Sequence, residues 1–226
     1  MRTALVIGAT GLVGTALVEL LIAQDIFQKV IIFTRRSLNI QHEKLDVHII
    51  DFNQPDTWQH LVRGDVLFST LGTTLKQAGS QAAQYRIDYT YQLDFAKAAS
   101  SNGVPVYVLV SSASANPDSK LFYTRIKGEL EREIKRLPFK SITVIQPSLL
   151  VGARTTERFG EKIGYRVLGF LNGMGLFKKY KPIHAGIVAR AMINAALGKN
   201  PGVQTYSLDK IFRLGEKKRN ADNADY

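Results

Sequence analysis

The sequence predicts an α/β fold in which helices cover both faces of a doubly wound parallel sheet, with a small C-terminal cap. Apolar, β-branched segments alternate with segments of helical period along most of the chain. Several of these segments are apolar on both faces, which is typical of buried parallel strands. Glycine and polar motifs follow the strand ends, where such folds hold their ligand crevice.

The predicted elements follow one another as strand and helix pairs. The predicted strands cover residues 3–10, 30–34, 47–51, 66–70, 105–111, 142–145 and 205–208. The predicted helices cover residues 12–23, 57–62, 81–99, 121–137 and 184–197. Asn102-Gly103 and Pro138 follow two of these helices, and glycine and proline commonly end a helix. Alternation of this kind favours crossover connections and a parallel sheet.

The length of 226 residues suits one α/β domain, which we expect at residues 1–215, followed by a polar tail at residues 216–226. Residues 151–181 are irregular, glycine-rich and basic, and are predicted to form a substrate-side cap. Their apolar part, residues 164–177, is too short to span a bilayer. Two interpretations stay open: a lid helix, or a peripheral membrane or protein contact through residues 163–181. The sequence leaves the oligomeric state undetermined.

Composition limits the classes of function. The chain is 45% hydrophobic and 22% charged, as in ordinary globular domains, and has no cysteine for a disulfide, a thiolate nucleophile or a zinc-thiolate site. The histidines show no metal-ligand spacing, so no metal is expected. The formal charge of +11 attracts anions of any kind, but the basic residues of helix 121–137 alternate with acids, which is typical of a solvated face. We expect no nucleic-acid partner and, because no secretion signal is visible, a cytoplasmic protein.

A glycine turn joins the first predicted strand to the first helix. It has the pattern G-x-x-G-x-x-G, and its candidate binding residues are Gly8, Thr10, Gly11, Leu12, Val13 and Gly14. In this place, backbone N–H groups and the helix dipole would meet a pyrophosphate. The alternative is a purely structural tight turn, but a strand on one side and a helix on the other favour a dinucleotide site of the Rossmann type.

The end of the second predicted strand indicates which dinucleotide binds. An NAD site has an acid there for the ribose 2′-hydroxyl, whereas this strand ends in Thr34-Arg35-Arg36. Arginine offers a charged, planar fork for a phosphate, so Arg35, with Arg36 as a second candidate, is predicted to bind the 2′-phosphate of NADP(H). The alternative is a solvated surface pair.

Tyr123 and Lys127 are four residues apart on one predicted helix, which brings a phenol and an ammonium to the same face. Ser112 follows the preceding strand and could hydrogen-bond a substrate oxygen, with Ser111 as the alternative. Serine, tyrosine and lysine in this order resemble the catalytic triad of short-chain dehydrogenase/reductases. The catalytic residues are therefore predicted to be Ser112, Tyr123 and Lys127.

The resemblance extends from Gly8 to about Gly215. Within that superfamily the chain is similar to the atypical members. The motifs LGTT at residues 71–74, YTRIKGELE at 123–131 and RAM at 190–192 resemble the Tat-interacting-protein branch of NADPH-binding proteins. Further cofactor contacts implied by the resemblance are Asp51 and Phe52 at the adenine, Leu71, Gly72 and Thr73 along the ribose and pyrophosphate, Pro147, Ser148 and Leu149 at the nicotinamide, and Tyr123 and Lys127. Extended enzymes have asparagine where this chain has Asp88.

These observations favour an NADPH-dependent reductase of a small carbonyl or related electrophile. One alternative is an NADP(H)-sensing binding protein, which the resemblance to a regulatory branch allows. The other is epimerase or dehydratase chemistry on a nucleotide sugar, which normally uses a larger substrate lobe. The substrate is a small molecule that no residue pattern identifies.

Overall fold

A computed structural model describes residues 1–151, 181–198 and 200–216. Within them, seven parallel strands form one sheet: β1 Arg2–Ile7, β2 Phe27–Thr34, β3 Leu45–Ile49, β4 Val66–Ser69, β5 Val106–Val110, β6 Ser141–Gln146 and β9 Gly202–Ser207. Their order is β3-β2-β1-β4-β5-β6-β9. A separate parallel pair consists of β7 Leu150–Val151 and β8 Ile183–His184. The predicted doubly wound parallel sheet is confirmed.

The described α-helices lie between or after these strands in the chain. They are α1 Leu12–Ile22, α2 Pro55–Trp58, α3 Leu75–Ala78, α4 Gln81–Tyr85, α5 Tyr91–Ser101, α6 Phe122–Ile134, α7 Ala185–Leu197 and α8 Asp209–Glu216. A 3-10 turn covers Gln59–Leu61, and a π-helical turn covers Arg86–Thr90. None of the helices in this part of the chain is both long and apolar enough to cross a membrane.

Two hydrophobic cores lie on opposite faces of the sheet. Successive side chains of β1 alternate between them, with Ala4 and Val6 in one core and Leu5 and Ile7 in the other. The first core includes α1 and α7, and the second includes α5 and α6. Burial on both sides explains why the central strands β4 and β5 are apolar along nearly their whole length.

Several element boundaries differ from the predicted ones. The predicted helix 81–99 is divided by the π-helical turn, and β9 begins at Gly202 instead of residue 205. Helix α8 was not predicted, and it extends to Glu216, where we expected the polar tail to begin. Of the predicted cap, residues 152–180 lie outside the described residues, and so do 217–226 of the tail.

The strand order reverses between β1 and β4, which are neighbours in the sheet. Connections from the two strands diverge at such a point and leave a crevice at their carboxyl ends. Gly8 follows β1 and Thr70 follows β4, and both residues line a cavity there.

Candidate functional site

The glycine turn packs directly against the loop that follows β4. Gly8 has φ of +85°, and a Cβ built on it would lie 2.5 Å from the backbone N of Leu71. A Cβ on Gly14 would lie 2.1 Å from the carbonyl oxygen of Gly8. Neither position accepts a side chain without backbone movement, so these two glycines are required by packing.

Gly11 differs, because packing does not require a glycine there. It precedes α1 with φ −78° and ψ 169°, which any residue can adopt, and its Cβ would lie 3.3 Å from the oxygen of Gly8. As a glycine at the N-cap, it offers no side-chain cap to α1. Gly11 also lines the cavity, so an anion there would meet the first N–H groups and the positive end of the helix dipole.

The cavity has a volume of about 580 Å³ and is rich in cationic side chains. Arg35 and Arg36 line it, and so does Arg86, which the sequence did not indicate. None of the three forms an ion pair within the described residues, and no aspartate or glutamate is among the described lining residues. Unpaired guanidinium groups beside a phosphate turn fit a dinucleotide with several phosphates.

The side chain of Thr34 fixes the backbone that carries the two arginines after β2. Its Oγ1 donates to the carbonyl of Arg36 at 3.0 Å and accepts from the N–H of Arg36 at 3.3 Å. Such local side-chain turns end strands and orient the following residues. Thr10, Leu71, Gly72 and Thr73 line the same cavity.

Asp51 and Phe52 contribute to the turn and the core packing that follow β3. Phe52 is 4% exposed and packs in the second core, with its ring centroid 5.2 Å from that of Tyr91. The Asp51 carboxylate accepts the Asn53 backbone N–H at 2.9 Å, and this bond lowers the pKa of Asp51. Neither Asp51 nor Phe52 is among the described residues that line the cavity. Tyr91, which packs on Phe52, does line it.

None of the triad residues is among the described residues that line the cavity, but Lys127 Nζ would lie 4.0 Å from a Cβ on Gly72, which does line it. Tyr123 stands in the first turn of α6 and is 42% exposed, and Lys127 Nζ lies 5.9 Å from its ring centroid. Ser112 follows β5, and its Oγ is 3.0 Å from that of Ser114. The Ser111 hydroxyl is buried and has no hydrogen-bond partner in the described part of the chain. Ser112 is therefore the more accessible of the two serines.

Lys127 is buried and forms an ion pair that the sequence did not predict. Its Nζ lies 2.8 Å from Oδ1 of Asp88, and both side chains are at most 4% exposed. Asp88 stands in the π-helical turn, an irregularity common at functional sites. The position of Asp88 was singled out as a departure from extended enzymes, but its partner could be found only from the fold.

Two contacts hold α6 and the neighbouring loops in place. A Cβ on Gly128 would lie 2.1 Å from the backbone N of Pro117, so only glycine permits this approach. The carbonyl of Pro147 accepts the Ala113 N–H at 3.1 Å and joins the loops after β5 and β6. Of the neighbouring predicted nicotinamide contacts, Ser148 donates to the Lys181 carbonyl, and Leu149 is 49% exposed.

The described residues contain no group of three histidine, aspartate or glutamate side chains arranged to hold a metal. His184 instead caps α7, because its Nδ1 accepts the Gly186 N–H at 3.2 Å.

Comparison with known proteins identifies the family. The NAD dependent epimerase/dehydratase family matches residues 4–219. The chain belongs to this family. Protein FMP52-1, mitochondrial, of Scheffersomyces stipitis is 32% identical over 226 residues, covering 95% of this chain and 99% of that relative. The predicted resemblance to atypical short-chain dehydrogenase/reductases is confirmed at this level.

Solved members of the epimerase group share the fold. UDP-N-acetylglucosamine 4-epimerase from Methanobrevibacter ruminantium M1, in complex with UDP-N-acetylmuramic acid, has a TM-score of 0.68 at 20% identity, covering 95% of this chain and 80% of that one. Human epimerase family protein SDR39U1 with NADPH has a TM-score of 0.63 at 19% identity, covering 91% and 73%. At these identities the likeness shows the fold alone.

The expected cytoplasmic location is contradicted. The Scheffersomyces relative is named mitochondrial, and relatives of the same name from other organisms are designated in the same way. The expectation failed because a lack of cysteine and of a visible secretion signal fits any reducing compartment and does not distinguish among them.

Proposed function

We propose that the protein is an NADP(H)-dependent oxidoreductase that reduces a small carbonyl or related electrophile. The cavity at the carboxyl ends of β1 and β4 supports this most, because it combines a glycine phosphate turn with three unpaired arginines. An acid at the end of β2 would bind the 2′-hydroxyl of NAD and repel a 2′-phosphate. The chain has Arg35 and Arg36 there instead.

The proposed cofactor contacts follow from this arrangement. The N–H groups at the start of α1 bind the pyrophosphate, Arg35 and Arg36 bind the 2′-phosphate, and Arg86 adds positive charge from the π-helical turn. The loop of Leu71, Gly72 and Thr73 lies along the cofactor, because it borders both the cavity and the Lys127 side chain.

When bound, NADPH supplies a hydride to the electrophilic carbon. Tyr123 donates a proton to the substrate oxygen, so that one C–H and one O–H bond form as the carbonyl π bond is lost. Ser112 donates a hydrogen bond that orients the same oxygen. Lys127 lies about one helical turn from the phenol, and its ammonium, paired with Asp88, is held 5.9 Å from the centroid of the Tyr123 ring.

Epimerase or dehydratase chemistry is the second candidate, favoured by the description of the family. Such reactions return the cofactor to its starting oxidation state, whereas a reductase consumes NADPH. Net loss of NADPH absorbance with substrate therefore separates the two candidates.

Calorimetric titration of NADPH and NADH tests the proposed cofactor. We expect NADPH to bind at least about tenfold tighter, or about 1.4 kcal/mol, because the 2′-phosphate contact has no counterpart in NADH. Arg35→Ala should remove most of this difference by weakening NADPH alone. Arg63→Ala, an exposed arginine outside the cavity lining, is the control and should change neither affinity. Equal wild-type affinities for the two cofactors would contradict the proposed specificity.

A further inference from the structure

The carboxylate of Asp88 is fully buried, with one oxygen in an ion pair and the other in a hydrogen bond to a different part of the site. Its Oδ1 lies 2.8 Å from Lys127 Nζ on α6. Its Oδ2 accepts the backbone N–H of Thr73 at 3.3 Å. Thr73 belongs to the loop after β4 that lines the cavity. One side chain thus joins the lysine of the triad to the loop proposed to lie along the cofactor.

A chain of buried hydrogen bonds fixes the backbone of Asp88. Gln92 Nε2 donates to the Asp88 carbonyl at 2.8 Å, and Ser69 Oγ donates to Gln92 Oε1 at 2.7 Å. All three residues are 0% exposed. Because Ser69 is the last residue of β4, this chain ties Asp88 to the strand that precedes the cavity loop.

The cavity loop is held from the same segment by a second contact. Gln84 Nε2 donates to the Thr73 carbonyl at 3.3 Å, so that both backbone groups of Thr73 bond to side chains of residues 81–90. A Cβ on Gly72 would lie 3.6 Å from Asp88 Oδ1 and 4.0 Å from Lys127 Nζ. Both members of the ion pair therefore border the space beside Gly72 Cα.

We propose that Asp88 is a positioning residue that fixes Lys127 Nζ relative to the cavity loop, and that this position requires a carboxylate. A carboxylate offers two acceptor oxygens, one for each donor. An asparagine offers one acceptor oxygen and an NH2 group, so either the ammonium or the Thr73 N–H would face another donor. The asparagine of extended enzymes would therefore not replace Asp88 here. The cofactor part of this inference rests on the proposed function.

A double-mutant cycle of Asp88→Asn and Lys127→Met tests the proposal, with NADPH affinity by calorimetry and Tm by circular dichroism. Asp94→Asn, the same change at a partly buried acid of α5, is the control. Asp88→Asn should weaken NADPH binding by about tenfold or more and lower Tm by roughly 5–15 °C, since it leaves a buried cation unpaired. The control should change NADPH affinity by less than about twofold.

The double variant separates positioning from a general structural role. When Lys127 is replaced by methionine, the one oxygen of an asparagine at position 88 is enough to accept the Thr73 N–H. Adding Asp88→Asn to Lys127→Met should therefore change NADPH affinity by less than about twofold. The double variant should also melt above Asp88→Asn alone, since no unpaired charge remains buried. Additive effects in both measurements, or a wild-type-like Asp88→Asn, would overturn the proposal. If the wild-type protein does not bind NADPH, the proposed function is wrong. The pairing of Asp88 with Lys127 is then still tested by the Tm values of the four proteins, because Tm is measured without cofactor.

Discussion

Gly11 and Gly14 belong to the same turn, but a side chain should affect them in different ways. A Cβ on Gly14 would lie 2.1 Å from the Gly8 oxygen and 2.8 Å from Thr70 Oγ1. On Gly11 the same oxygen would be 3.3 Å away. Gly14→Ala must therefore move backbone, whereas Gly11→Val needs only a small adjustment and places its side chain at the start of α1.

These distances set the expected magnitudes. Overpacking against fixed atoms costs about 1–3 kcal/mol, and the Gly14 contact belongs at the upper end, so Gly14→Ala should lower Tm by roughly 6–12 °C in a chain of this size. Gly11→Val should cost at most about 1 kcal/mol, or roughly 4 °C. Its side chain should nevertheless weaken NADPH binding by about a hundredfold or more, equivalent to about 2.7 kcal/mol, because it occupies the place of the pyrophosphate.

Thermal melting by circular dichroism and calorimetric titration of NADPH measure the two effects on the same samples. Gly11→Ala is the matched intermediate and should bind NADPH more tightly than Gly11→Val. If Gly11→Val binds with wild-type affinity, the turn is structural only. If Gly14→Ala melts like the wild type, the reasoning from the Gly8 contact is wrong.

Four further variants test other parts of the site. Arg86→Ala should weaken NADPH binding by roughly three- to tenfold in calorimetry. The loss should be smaller in high salt, because the contribution of Arg86 is Coulombic. An unchanged affinity would show that Arg86 does not belong to the site. Gly128→Ala should lower Tm by roughly 6–12 °C, since its Cβ would meet the Pro117 backbone, and a wild-type Tm would contradict that packing. Ser112→Ala should reduce turnover by about tenfold or more and Ser111→Ala by less, and the reverse order would assign the role to Ser111.

Local patterns predicted most of the fold. The strand β1, the turn and α1 follow from an apolar run, spaced glycines and a helical period within the first 22 residues. Burial on both faces of the sheet was visible for the same reason, because β1 is apolar at successive positions. These features depend on neighbours in sequence, and a single sequence reports them directly.

Features set by distant contacts could not be predicted in this way. Arg86 and Asp88 stand in a segment with an ordinary helical period, and only the fold brings one to the cavity and the other to Lys127. Helix α8 is only eight residues long, and it is held by packing on α7, where a Cβ on Gly215 would lie 2.6 Å from the Ile187 oxygen. Tertiary contacts of this kind leave little pattern in the local sequence.

Turnover of Tyr123→Phe tests the proposed reductase most directly. NADPH absorbance is followed with a panel of aldehydes, ketones and quinones, and NADPH affinity is measured on the same protein. Because a phenyl ring cannot donate a proton, the variant should bind NADPH within about threefold of the wild type and lose roughly a hundredfold or more in turnover. Unchanged turnover in Tyr123→Phe would contradict the proposed mechanism, and tight NADPH binding without wild-type turnover across the panel would favour a cofactor-sensing protein.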